Sequence, residues 1–132
     1  MYEAIKYIAG GRFMSREAWM HPARVIESHE LIFVLQGNVS VYIGDRNYCA
    51  KPGQMLHISP GIPHGGLALT AEPVSFYWIH FTGNTASDPL PNVFSDGKIS
   101  NRVEILCKQL LHCANSREYP QDCADYYMRL LL

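Results

Sequence analysis

The sequence predicts a mostly β protein, an antiparallel β-barrel or sandwich followed by two α-helices. Three observations carry that expectation. From Glu30 to Ile58, short runs rich in β-branched and aromatic residues recur, and Val39–Ile43 alternates apolar with polar side chains, the period of a half-buried strand. Turn residues punctuate these runs at Gln36-Gly37-Asn38, Gly44-Asp45-Arg46-Asn47, Pro52-Gly53 and Ser59-Pro60-Gly61, a spacing typical of sandwiches and small barrels. Beyond Gly97 the period becomes helical, with Val103, Leu106, Leu110 and Cys113 on one stripe.

In chain order, Glu3–Ala9 reads as a first strand that Gly10-Gly11 ends. Arg12–Trp19 is a further extended segment. His21-Pro22 breaks it, because proline lacks the amide donor and restricts its predecessor. Ala23–Ser28 leads into the central strands, Glu30–Leu35, Val39–Ile43, Tyr48–Lys51 and Gln54–Ile58. Leu67–Pro73 is a loop. Val74–Phe81 is a strand with Phe76, Trp78 and His80 on one face and Ser75, Tyr77, Ile79 and Phe81 on the other. Residues 83–97 are rich in Asn, Asp, Ser, Pro and Gly and read as a linker. Asn101-x-x-Glu104 has the form of a helix start, with the helix running to about Ala114. Pro120 and Asp122 suit the first turn of a second helix that reaches Leu132. The expected division is a barrel at 1–83, a linker at 84–98 and a helical segment at 99–132.

A chain of 132 residues can bury one real core. With 11 Lys and Arg against 12 Asp and Glu, and no basic cluster, these residues lack the charge footprint of a DNA-binding module. Met1–Gly10 carries Glu3 and too short an apolar run for a secretory signal, and no stretch is long enough to span a bilayer, so cytoplasm is the expected location. Cys49, Cys107, Cys113 and Cys123 form no C-x-x-C pair and are expected to be small buried apolar groups rather than a disulfide framework or a zinc site. Arg129-Leu130-Leu131-Leu132 has no helix stop, which leads us to expect a longer protein.

Two motifs carry a resemblance. Glu30, six residues and Gly37 match the second half of the first cupin motif. Gly53-x5-Ser59-Pro60-Gly61-x2-His64 matches the second, with Ser59 where Pro is usual. Together with Tyr77–Gly83 and the helical tail, they make the chain resemble the amino-terminal effector domain of AraC-type transcription regulators. The resemblance implies a cupin-like jelly roll that binds a small-molecule effector, a sugar or related polar metabolite, and forms a homodimer through its helices. It places DNA binding in a helix-turn-helix domain that is not in this chain. Sugar-sensing members carry an Arg before the Glu strand and a Trp where Trp78 stands. Arg24 suits paired acceptors through its planar fork, and Trp78 can stack on a ligand. The expected ligand site is therefore Arg24, Glu30, His57, His64, Trp78 and His80. The expected dimer surface is Val103, Leu106, Leu110 and Cys113.

No catalytic residue or cofactor is expected. Metal-binding cupins place His-x-His ahead of the Glu, and here those positions fall near Arg24 to Ile26, which cannot ligate. Glu30 and His64 alone are too few for a tight site, so no bound metal is expected. His29 adjoins Glu30 and points to the opposite face of its strand. The alternative function is a small metal-dependent cupin enzyme, an isomerase or oxygenase. A third reading is a barrel that only dimerises, its pocket filled by its own side chains.

Overall fold

A computed structural model describes residues 4–69, 72–83, 93–95, 100–120 and 122–132. Its elements in chain order are β1 (Lys6–Ser15), β2 (His29–Gln36), β3 (Val39–Ile43), β4 (Arg46–Ala50), β5 (Gln54–Ile58), β6 (His64–Gly66), β7 (Val74–Thr82), β8 (Val93–Ser95), α1 (Ser100–Asn115) and α2 (Cys123–Leu131). A five-stranded sheet runs β1-β7-β2-β5-β8, and a three-stranded sheet runs β4-β3-β6. Among the described residues every strand pairing is antiparallel.

Alternation along β2 builds two cores on the two faces of one sheet. Ile32 and Val34 join Val39, Val41, Ile43, Leu56, Ile58 and Phe76 between the sheets. Leu31 and Phe33 point the other way, onto Tyr77, Ile79 and Phe81 and the helical residues Val103, Cys107, Leu110 and Met128. Each such side chain contributes about 1.5–3 kcal/mol of burial, and a one-residue slip of β2 would exchange the two faces. The register is held at the β2–β3 turn by Gly37, whose φ of 74° a residue with a Cβ rarely adopts.

The structure corrects several expectations. β1 does not end at Gly10-Gly11. Both glycines stay in the strand because β7 crowds them. A Cβ on Gly10 would lie 2.9 Å from the Trp78 carbonyl oxygen, and one on Gly11 would lie 3.1 Å from the Trp78 indole. The segment read as a linker contributes β8, which pairs with β5; the rest of it, 84–92 and 96–98, lies outside the described residues. Asn101 sits within the first turn of α1 rather than capping it. α2 starts at Cys123, after a turn in which the Pro120 carbonyl accepts from the Cys123 amide at 3.0 Å. Cys113 and Cys123 form a disulfide between α1 and α2, with Cα atoms 6.3 Å apart. Spacing alone missed it because the two cysteines meet only once the helices fold back on each other.

The expected dimer stripe is also largely internal. Val103 and Leu110 pack into the sheet–helix core, Cys113 is buried, and Leu106 is half-buried. A helix with one apolar stripe buries one face, and the outer face of the five-stranded sheet takes it. Among the described residues, no helix is long and apolar enough to cross a membrane.

Candidate functional site

Glu30 is the second residue of β2 and faces inward with Ile32 and Val34. It is 2% exposed and lies opposite His80 on β7 and Ile58 on β5. A carboxylate in that setting costs on the order of several kcal/mol unless it is partnered. The guanidinium of Arg24 supplies the nearest partner, its Nη2 donating to Oε2 at 3.1 Å and to Oε1 at 3.3 Å. Three imidazoles complete the ring. His21 Nε2 lies 3.5 Å from Oε1, and His64 Nε2 and His80 Nε2 lie 3.7 and 3.9 Å from Oε2. Burial pushes the Glu30 carboxyl up, but the hydrogen bond with His21, the nearby His64 ring and the charges of His21 and Arg24 outweigh it and hold it well below the usual carboxylate range. Burial also lowers His80, with Glu30 opposing the shift.

Two glycines bring this cluster together. The Gly66 amide donates to the His21 carbonyl at 2.8 Å. A Cβ on Gly66 would come within 2.8 Å of the His21 backbone nitrogen, and one on Gly65 within 2.9 Å of Ala23 Cα. The chain around residues 20–24 can therefore lie flat on β6 only because β6 ends in bare backbone. Arg24 and His64 then exchange backbone hydrogen bonds of 2.9 and 3.0 Å. The same strand thus seats the guanidinium, His21 and His64 around one carboxylate.

Above Glu30 opens a cavity of about 270 Å³. His21, Arg24, Glu30 and His80 form its polar floor, and Phe13, Trp19, Phe76 and Trp78 form its walls. Phe13 and Phe76 are register partners on β1 and β7 and stack with centroids 5.0 Å apart, with Trp19 tilted against both at 4.8 and 5.4 Å. Trp78 meets His80 edge-on at 5.6 Å. A few convergent polar groups in an aromatic bowl are the usual make-up of a small-molecule site.

Of the residues expected at the site, Arg24, Glu30, Trp78 and His80 line this cavity, and His64 is fully buried against Glu30. His57 does not belong to it. It stands opposite Leu31 and so on the helical side of the sheet, where its Nε2 is 2.8 Å from His29 Nδ1 and its ring leans on Phe81. Period 2 along β5 separates it from the inward face. The sequence reading missed His21, Phe13, Trp19 and Phe76. In sequence His21-Pro22 reads only as a break between extended segments, which gives no sign that the imidazole turns inward. The available signal was Gly65-Gly66, a pair of bare residues inviting close backbone approach.

Residues 12–119 match the model of the AraC-like ligand binding domain. The chain belongs to that family. Over 75 residues it is 31% identical to an uncharacterized HTH-type transcriptional regulator, YisR, of Bacillus subtilis (strain 168). That match covers 57% of this chain and 26% of the relative, so the chain spans about a quarter of that protein. Among solved structures it is similar to an RmlC-like cupin family protein with a double-stranded β-helix fold from Methanocaldococcus jannaschii, with a TM-score of 0.50, 9% identity, and coverage of 56% of this chain and 69% of that one. It is likewise similar to AerE of Microcystis aeruginosa, with a TM-score of 0.50, 14% identity, and coverage of 59% and 40%. At such identities these likenesses speak to fold, and the AraC-like domain shares the cupin fold.

Proposed function

We propose that this AraC-like domain senses a small polar metabolite in the cavity over Glu30 and passes the signal to a DNA-binding helix-turn-helix elsewhere in the whole regulator. The observation that carries the reading is the pairing of a buried carboxylate with a guanidinium that remains 39% exposed at the cavity floor. Glu30 offers acceptors, Arg24 offers donors, and Trp78 offers a flat apolar face. That combination suits a hydroxyl-rich ligand such as a sugar or a close relative. Glu30 disfavours a simple carboxylate by charge repulsion.

The regulator would act as a homodimer. Because the α1 stripe is largely internal, the pairing surface we favour is the exposed Tyr126 and Leu130 on α2, one turn apart, which are 57% and 66% exposed. A thermal-shift screen against sugars, sugar alcohols and sugar acids tests the ligand reading. A ligand at a hundredfold its dissociation constant adds about 2.7 kcal/mol to stability. A hit whose effect survives unchanged in Arg24→Ala and Trp78→Ala would place the binding elsewhere.

A second reading, a small metal-dependent cupin isomerase or oxygenase, is favoured by the three imidazoles gathered around Glu30. Turnover of the stabilising metabolite by the purified domain would support it over sensing.

A further inference from the structure

The expectation of no metal rests on two ligands, and the fold supplies a third from outside the cupin motif. His21 Nδ1 donates to the Pro22 carbonyl at 2.9 Å, and His64 Nδ1 donates to the Ile62 carbonyl at 3.1 Å. A carbonyl can only accept, so both Nδ1 atoms carry the proton. In the neutral rings both Nε2 atoms are then lone pairs, and both face Glu30. His64 is 0% exposed, and its Nε2 has no hydrogen-bond partner. With both rings neutral, two imidazole lone pairs and a carboxylate converge on one buried point beside the Arg24 guanidinium, and that arrangement calls for a cation there, either a metal ion or the protons that turn the rings into donors to Glu30. A metal-ligating histidine characteristically donates its other ring N–H to a backbone carbonyl, which fixes the tautomer in just this way.

We infer that His21, Glu30 and His64 form a site for one divalent first-row transition-metal ion at the floor of the cavity. Their donor atoms lie within 4.8 Å of one another. In a tetrahedral site, bonds of about 2.0–2.2 Å hold two ligands of one ion about 3.3–3.6 Å apart, so binding draws the donors in by at most about 1.2–1.5 Å. Two imidazoles and a carboxylate suit Zn, Fe, Ni or Co. His80 Nε2, 3.9 Å from Glu30 Oε2, is the nearest additional donor, and the remaining positions open to the cavity. Arg24 is the ion's competitor, since it holds the same carboxylate from a partly exposed position. A bound ion would displace it and reverse the sign of the cavity floor, so the effector's oxygen atoms would meet a cation. That last consequence rests on the effector-site reading; the ion site itself does not.

The test is titration of chelator-treated protein with Co(II) alone, read by visible d–d absorption and by quenching of Trp19, whose ring lies 5.9 Å from that of His21. One equivalent should saturate both signals, and Zn(II) should displace it. His21→Asn and His64→Asn should weaken binding at least tenfold. Arg24→Gln should tighten it several-fold, and because it leaves the buried rings untouched it decides the matter even where a His64 variant fails to fold. The proposal is overturned by the absence of saturable binding, by unchanged affinity in His21→Asn, or by unchanged or weaker affinity in Arg24→Gln. It is also overturned by a thiolate charge-transfer spectrum that puts the ion on exposed Cys49. No effector enters this titration, so its failure is distinct from failure of the ligand screen.

Discussion

Arg24 and Glu30 form an unequal pair, the acid buried and the guanidinium partly in water. Removing the guanidinium leaves His21 and His64 beside the acid, so Arg24→Ala should stay folded. It should bind an identified effector about 10- to 100-fold more weakly, the loss of charge-assisted hydrogen bonds worth about 1.5–3 kcal/mol, as calorimetry would read. The free cysteines are a second unequal pair. Cys49 is exposed, whereas burial, with a smaller effect from Glu104, pushes the Cys107 thiol up to about 12. Without reductant at pH 8, a thiol reagent should label one cysteine quickly and a second only on unfolding; rapid labelling of both would contradict the packing of α1. Much at this scale was legible. The alternation of Phe76, Trp78 and His80 put those side chains on one face, and that face is the cavity. His21 was not legible, because its contact with Glu30 is made by an irregular segment whose path depends on β6 rather than on its own pattern.

At the scale of elements, β6 is three residues long and yet shapes the site through what it lacks. Gly66→Ala should cost about 1–3 kcal/mol by overpacking against the His21 backbone, and should move His21 away from Glu30. Chemical denaturation together with the cobalt titration would show both effects. A fully stable Gly66→Ala with unchanged cobalt binding would mean that the close approach is unnecessary. The helices carry a different constraint. α2 is tied to the sheet where the Tyr7 amide donates to Asp125 Oδ1 at 2.7 Å, and to α1 through Cys113–Cys123. Cys113→Ser should lose about 2–3 kcal/mol from release of the short loop, seen as a lower melting midpoint under non-reducing conditions and as no difference from wild type in excess reductant. The strands were readable from period and punctuation, while β1 was misread where two glycines serve a neighbour. The disulfide and β8 were missed because tertiary pairing, and not local propensity, creates them.

At the scale of the molecule, one five-stranded sheet separates two jobs. Its inner face with the three-stranded sheet holds the cavity, and its outer face holds the helices. The sheet–helix core explains why the predicted dimer stripe is internal. Leu110→Asp should unfold the domain, and Leu130→Asp should leave it folded and, on our reading, monomeric by light scattering. Dissociation without unfolding in Leu110→Asp would restore α1 as the interface. The central claim is that the cavity over Glu30 is where this AraC-like domain receives its signal. Calorimetric titration of the strongest stabilising metabolite into wild type and Trp78→Ala tests it most directly. We predict a single site in wild type and at least tenfold weaker binding once the indole wall is gone. Equal affinity in the two proteins would contradict the account.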